Sequence, residues 1–334
     1  SCGFVYAAIG RRYVEMSVLS AQQLETSNVT IFTLDYEDGL RLCDEEAAVG
    51  PGWRCVDLAE QITSPRLPEL KEKTWSRVVL VLRCLRVLRS GDDEFDVEKE
   101  CPTSEDGRKD TMRFASRVSK VFSMLLSPYD VSMFLDSDTL PCANGDGVKA
   151  LLSGSPANRS LPEVFDVLGA IAHTGSLEVP IQASDPPTGF YTVNTGMLLV
   201  QNKRPAVRAF LAHWLHLVEK RVYEREHRLS DHSTLDQPAF RVALFDALAS
   251  RNLTFYMLPP MWNFRAWNGV IIGTKSKDAV TEEKHHCCDQ DTSGINRRIV
   301  IDHKCLYKVL TLPSGRAVAE GLAGAPKIRS PAIS

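Results

Sequence analysis

The sequence predicts an α/β fold, a parallel sheet with helices on its faces, in one continuous domain. Three observations predict it. The chain opens strand, helix, strand; an apolar run near its middle ends abruptly in two aspartates; and strand-like and helix-like segments keep alternating as far as Ile299–Ile301. Phe4–Ile9 is an unbroken apolar run and makes the first strand. Asn28–Leu34 is the second, and between them Val14, Val18, Ala21 and Leu24 recur at helical spacing. A helix between two strands leaves room for a crossover, so the pair is parallel. Asp38-Gly39 then opens a less regular stretch, and 40–68 carry no readable pattern.

Leu70–Leu88 reads as a helix ended by Ser90-Gly91. Residues 91–110 are the most polar segment and show no apolar period, which predicts a loop insertion. From Phe114 helical spacing returns through Val118, Val121, Phe122 and Leu125, and Ser127-Pro128 stops it. The strand Val131–Asp136 follows. Asp166–Ala172 and Thr192–Val200 are further strands. Pro205 opens a helix with Phe210, Leu211, Trp214 and Val218 on one face. Asp236-Gln237-Pro238 starts another, through Ala243, Leu244 and Ala247. Phe255–Leu258 and Ile299–Ile301 are short late strands. The domain is expected to span 1–312, with 313–334, rich in small residues and proline, as a mobile tail.

At 334 residues the chain can bury a sizeable core, and its 44% hydrophobic and 24% charged content is globular. The net charge of −3, with 39 scattered basic residues, argues against a nucleic-acid partner. No apolar run could cross a bilayer. Because the chain begins at Ser1, a membrane anchor or signal preceding it is compatible with the sequence. The nine cysteines lack paired metal-ligand spacing, so disulfides are expected rather than zinc. Asn28-Val-Thr30, Asn158-Arg-Ser160 and Asn252-Leu-Thr254 match the glycosylation sequon. Together these point to a secretory, Golgi-type lumen, with the cytoplasm as the alternative.

The segment richest in chemistry is Val131-Ser-Met-Phe-Leu-Asp136-Ser137-Asp138. Residues two apart on an extended backbone project the same way, so both carboxylates leave the strand's carboxyl end together, where open α/β sheets place ligands. Paired hard oxygens suit Mg²⁺ or Mn²⁺, and such a metal can hold a diphosphate and absorb its charge as it departs. That is the chemistry of a nucleotide-sugar transferase.

On these residues the chain resembles the GT-A fold glycosyltransferases, Rossmann-like with a mixed, mostly parallel sheet, and most of all the glycogenin-like glycosyltransferase family 8. The similarity runs in motif order over roughly residues 4–310. It implies that Asp136 and Asp138 are metal ligands, with His303 of Ile299-Val-Ile-Asp302-His303 as the third. It implies that Lys120, sixteen positions before Asp136, touches the nucleotide sugar, as do Asp136 and Ser137. Ala8 and Ile9 at the end of the first strand would meet the base, and Tyr13 would stack on it. Asn194 in Val193-Asn194-Thr195-Gly196, with Asp236 and Gln237, would surround the sugar and its anomeric carbon. Asn263 in Leu258-Pro-Pro-Met-Trp-Asn263 would also line the donor pocket. The family's lysine on the leaving diphosphate has Lys304 or Lys308 as counterparts here, at a different spacing. The implied reaction is metal-dependent sugar transfer from a nucleoside diphosphate sugar, a UDP-sugar foremost, to a hydroxyl on a carbohydrate, protein or small molecule, with retention.

Blander roles exist for each residue. Lys120 alone is an ordinary solvated helix lysine, Tyr13 fits core packing, and Asp236 stands where a helix N-cap belongs. Asn194–Gly196 fits a bulge in a buried strand, and a lone His303 fits a structural histidine. His285-His286-Cys287-Cys288 reads as a loop. Two competing functions remain. A haloacid-dehalogenase-type phosphatase also places Asp-x-Asp after a strand, but Thr139 stands where its glycine belongs. A scaffold that binds nucleotide sugar without turnover is the non-enzyme alternative.

Overall fold

The computed structural model describes residues 1–26, 28–34, 41, 43–45, 53–62, 67–90, 101, 104–142, 146–153, 161–172, 186–187, 190–223, 236–259, 262 and 301–303. β1 (Cys2–Ala8), β2 (Val29–Thr33), β3 (Arg54–Asp57), β4 (Val131–Asp136), β6 (Val167–Ile171), β7 (Val193–Gln201) and β8 (Phe255–Leu258) form one sheet in the order β3-β2-β1-β4-β7-β6-β8. β1 runs parallel to β2 and β4, β2 parallel to β3, and β6 parallel to β8. Only β7 is reversed, antiparallel to both β4 and β6. The α/β class with a mixed, mostly parallel sheet is therefore the architecture. β5 (Thr139–Pro141) and β9 (Ile301–His303) make a separate antiparallel pair.

Both faces of the sheet are covered, which is why its inner strands β1, β4 and β7 are mostly apolar rather than alternating, while the edge strand β3 is more polar. Val5, Phe32, Phe134, Leu198 and Val200 point to one side. There they meet α3 (Glu72–Ser90), α4 (Glu105–Leu125), α7 (Pro205–Tyr223) and α8 (Asp236–Ala249). Phe4, Tyr6, Ala8, Met133, Leu135, Met197 and Leu199 point to the other, against α1 (Arg11–Gln22), α5 (Asp146–Ser153) and the short α6 (Leu161–Val164). The period-two split puts Ala7 and Ala8 on opposite faces, and it decides which residues of the strand end reach a ligand. Gly10 takes φ 84, a left-handed angle glycine adopts without strain, and its carbonyl accepts from Tyr13 and Val14 to start α1.

Several expectations shift. The stretch 40–68 contains β3 and the short α2 (Leu58–Ile62), whose first turn is capped by Asp57 Oδ1 accepting from Ala59 N at 2.8 Å. β3 is too short and too polar to stand out. The helix expected from Phe114 begins at Glu105, so the insertion 91–110 is helical in its last residues. Ser104 caps it, its hydroxyl accepting from Gly107 N at 3.1 Å. Its first turn, Glu105-Asp-Gly-Arg108, is polar and has no apolar period to read. Of the expected strand Ile299–Ile301, residues 299 and 300 lie outside the described residues; the described strand is Ile301–His303, which continues to His303 because it pairs with β5. The tail 313–334 lies outside the described residues.

Disulfides join Cys43 to Cys55 and Cys84 to Cys101, and Cys142 is also disulfide-bonded, while Cys2 is free. Cys84 sits within α3, so the second bridge staples the polar segment to a helix. In the chain-entropy account loops of 12 and 17 residues stabilise by about 3 kcal/mol each. Among the described residues no helix is long and apolar enough to cross a membrane.

α7 also carries a titrating group. His216 Nδ1 lies 3.2 Å from Thr74 Oγ1, which donates to the buried Glu219 at 2.7 Å. Burial, then Lys71, lower the His216 pKa against the pull of Glu219. The unfolded chain thus takes up this proton first as pH falls. Stability contributed by neutral His216 is full above the ordinary value of 6.5 and is lost as pH drops through its lower folded value. Thermal melts between pH 7.5 and 5 should show this decline, and His216→Gln should flatten it.

Candidate functional site

A cavity of about 420 Å³ opens at the carboxyl ends of β1 and β4. Its wall includes Ala7, Ile9 and Tyr13 from the β1–α1 junction, Arg113, Ser116, Arg117 and Lys120 from α4, and Asp136, Ser137, Asp138 and Asp236. This is the crevice outside the strand ends that α/β sheets use for ligands.

Its floor is an ion triad. Lys120 Nζ lies 2.9 Å from Asp136 Oδ1 and 2.8 Å from Asp236 Oδ2, and 5.4 Å from the Phe134 ring centroid. Thr195 completes it, its hydroxyl donating to Asp236 Oδ2 at 2.6 Å while its carbonyl accepts from Lys120 at 3.3 Å. Burial pushes the Lys120 pKa down, but the fields of Asp136 and Asp236 outweigh it and the pKa is raised. Burial alone would neutralise Asp236, yet Lys120, Arg117 and the hydrogen bonds from Lys120 and Thr195 hold it well below the carboxylate range. Both groups are therefore charged at neutral pH.

The sequence reaches this arrangement by three local devices. Phe114, Ala115, Val118, Val121 and Phe122 fix one face of α4 in the core, so Arg113, Ser116, Arg117 and Lys120 share the opposite, cavity face. In β7 the pairing with β6 jumps from Leu198 to Asn194, so residues 195–197 bulge without a β6 partner. That bulge carries Thr195 to the triad. At the end of β4, Ser137 is 5% exposed and donates to Ala7 O at 2.9 Å, while Ser17 donates to Ser137. With Ser137 anchored backwards to β1 and α1, Asp136 and Asp138 flank it on the cavity wall. Thr139 locks the turn by donating to Asp136 O at 2.6 Å.

The sequence-derived residues fall into three groups. Asp136, Asp138, Lys120, Asp236, Ile9 and Tyr13 come together on the cavity wall, with Tyr13 41% exposed at its rim. Ala8, Asn194 and Gln237 are not on it. Ala8 is buried on the opposite face and its carbonyl accepts from Leu34 N, so Ala7 takes the inward place. Asn194 is 1% exposed, and its Oδ1 accepts from Gly196 N at 3.1 Å and Gln237 Nε2 at 3.2 Å. Asn194 and Gln237 thus brace the bulge and the start of α8 rather than facing the cavity. The Ser137 hydroxyl is committed to Ala7. Asp236 does not use its carboxylate as an N-cap, since Lys120 and Thr195 occupy it. Asn263, Lys304 and Lys308 lie outside the described residues. Thr195, Arg113, Ser116 and Arg117 were missed; only the i, i+3, i+4, i+7 spacing of the α4 residues signalled them.

The donor set fits a hard divalent cation in part. Asp136 and Asp138 offer carboxylate oxygens to one cavity. The β5–β9 register puts His303 opposite Thr139, next in sequence to Asp138, so its backbone lies at the same end of the sheet. Among the described side chains no group of three such ligands occurs, and that of His303 is not among them.

No family profile matches the sequence, and no curated protein sequence does. Solved structures do match. Mouse xyloside xylosyltransferase 1, apo form, aligns at 12% identity and TM-score 0.45, over 91% of this chain and 97% of its own. The glycosyltransferase GlyE of Streptococcus pneumoniae aligns at 14% identity and TM-score 0.46, over 98% of this chain and 62% of its own. Its apo form aligns at 15% identity and TM-score 0.41, over 79% and 46%.

Proposed function

We propose that this chain is a metal-dependent glycosyltransferase that moves a sugar from a nucleoside diphosphate sugar, a UDP-sugar foremost, to a hydroxyl acceptor with retention. The observation that carries it is the placing of Asp136 and Asp138, at the carboxyl end of β4, on the same cavity wall as the charged Lys120–Asp236 pair. A cavity of about 420 Å³ is of ligand size, and its wall presents two carboxylates that could hold a metal together with the buried carboxylate of Asp236.

Asp136 and Asp138, with His303, would hold Mn²⁺, whose imidazole-compatible chemistry suits this set better than that of Mg²⁺. Bound there, the metal would supply Lewis-acid stabilisation to the departing diphosphate. Lys120 fixes the Asp136 carboxylate and separates it from Asp236. Thr195 and Lys120 hold Asp236 ionised, so it can orient sugar hydroxyls or stabilise positive charge at the anomeric carbon. Tyr13 offers its ring to a base at the rim. Nothing in this arrangement demands a covalent intermediate, which favours attack from the side the leaving group vacates. The disulfides support a secretory, Golgi-type lumen.

The test is a panel of nucleotide sugars with Mn²⁺, read as release of free nucleoside diphosphate. Release from one donor, abolished by EDTA and restored by Mn²⁺, is the expected result and names the sugar. Release of inorganic phosphate would transfer the case to a phosphatase, and donor binding without release, with acceptors supplied, to a scaffold.

A further inference from the structure

The cavity face of α4 carries three cations at Arg113, Arg117 and Lys120, and they differ in what already occupies them. Lys120 is held between Asp136 and Asp236 at 2.9 and 2.8 Å. Arg113 lies 3.6 Å from Asp110 on its own helix. Arg117 lines the same cavity, yet its Nε is buried with no hydrogen-bond partner among the described residues. Its charge is felt by Asp236, which it helps hold ionised, but no ion pair joins them. Leaving a buried N–H unpaired is unfavourable, and a side chain as long as arginine has room to relieve it by turning to solvent. Here it stays at the wall.

From this geometry we propose that Arg117 is the cavity's diphosphate-binding residue, its guanidinium donating to the phosphate oxygens of the nucleotide donor. The inference rests on the donor-site reading above and names the side chain that grips the donor. A guanidinium offers a planar fork of N–H donors that matches phosphate oxygens and keeps its charge at every working pH. The location agrees. Arg117 precedes Lys120 by one turn, on the helix face that looks across the cavity to Asp136 and Asp138, so a diphosphate between them would meet a cation from each side once metal is bound. The charges of the wall also agree: with Arg113 beside Asp110, the carboxylates of Asp136, Asp138 and Asp236 face Arg117 and Lys120, so a divalent metal ion would bring an excess of positive charge that a diphosphate neutralises. A carboxylate on the transferred sugar would offer the same oxygens and is the competing source.

The full-length protein should be titrated by calorimetry with inorganic pyrophosphate, UDP, GDP and uridine, in EDTA and then with Mn²⁺. UDP-glucose and UDP-glucuronate follow. Arg117→Gln is expected to weaken pyrophosphate and the nucleoside diphosphate at least ten-fold while leaving uridine unchanged, and Arg117→Lys should recover part of the loss. Since no hydrogen bond from Arg117 to the described residues holds the fold but its charge supports Asp236, circular-dichroism melts should match wild type for Arg117→Lys and fall only slightly, with a cooperative transition, for Arg117→Gln. Diphosphate affinity within two-fold of wild type in Arg117→Gln would overturn the proposal. So would a loss confined to UDP-glucuronate, which would assign Arg117 to a sugar carboxylate. If wild type binds none of these probes, the donor-site reading itself fails, an outcome distinct from binding that ignores Arg117.

Discussion

Lys120→Met is expected to destabilise the protein by about 3–5 kcal/mol in urea unfolding at pH 7, the cost of stripping a buried ion pair of one partner. The side chains of Lys120, Asp236 and Asp136 are 12%, 13% and 24% exposed, so solvent offers little relief. Methionine keeps most of the volume, which leaves charge as the cause. Two carboxylates would then share a site without the cation between them, and Asp236 would keep only the field of Arg117 and the hydrogen bond from Thr195. Sugar transfer should disappear with stability, because the cation that orients Asp136 and separates it from Asp236 is gone.

The pH dependence of that loss identifies its source. In the wild type Asp236 is held below its unfolded value of 3.8, so it contributes stability that is present above that pH and fades below it. Without Lys120, burial is the largest remaining influence and raises the Asp236 pKa above the unfolded value. Its contribution then reverses: stability is present below the unfolded pKa and falls away as pH rises through the folded one. The gap between variant and wild type should therefore narrow from pH 7 towards pH 4. Asp236→Asn in the Lys120→Met background should recover part of the deficit, since an amide needs no counter-ion. A single variant as stable as wild type at pH 7 would show that the triad is not what holds the three elements together.

The parts legible in the sequence were those that depend on local pattern. β1, β2, β4, β7 and β8 are apolar runs, and both faces of a covered sheet require that. The Asp136–Asp138 pair was readable because it follows an apolar strand, although β4 ends at Asp136 and it is the turn held by Thr139, not strand alternation, that brings Asp138 to the same wall. What was not readable depends on contacts across the chain. Lys120 and Asp236 are 116 positions apart, and nothing local in either says they touch. Thr195 reaches them because three residues of β7 have no partner on β6, and whether Asn194-Thr195-Gly196 is a bulge or a regular strand is decided by β6, not by its own composition. The family resemblance puts Asn194 and Gln237 at the sugar, whereas here they hydrogen-bond each other beside the bulge and do not line the cavity. On α4 the ladder Arg113, Ser116, Arg117 and Lys120 has the spacing of any solvated helix face, and only the arrival of β4 and β1 opposite makes it a wall. β3 and β5 were lost for a simpler reason: strands of four and three residues carry too few side chains to establish a period.

Asp138→Asn should separate the metal's role from that of the triad. Asp138 is partly exposed and is not among the partners of Lys120, so amide replacement removes one charge from the cavity rim without unbalancing the buried ions. Urea unfolding should stay within about 0.5 kcal/mol of wild type, as for substitutions outside the core. Mn²⁺ binding, read by electron paramagnetic resonance of the free ion, should weaken sharply, because an amide oxygen carries no charge for a hard cation to neutralise. Release of nucleoside diphosphate from the donor that wild type accepts should fall at least about 100-fold, roughly 3 kcal/mol of lost transition-state stabilisation. The contrast with Lys120→Met is the informative part. A variant that is fully folded, metal-deficient and inactive assigns Asp138 to the metal, whereas one that loses stability as well would make Asp138 a structural acid of the β4–β5 turn. Activity within a few-fold of wild type, with Mn²⁺ still bound, would remove the metal from Asp138 and with it the main chemical ground for reading this cavity as a transferase site.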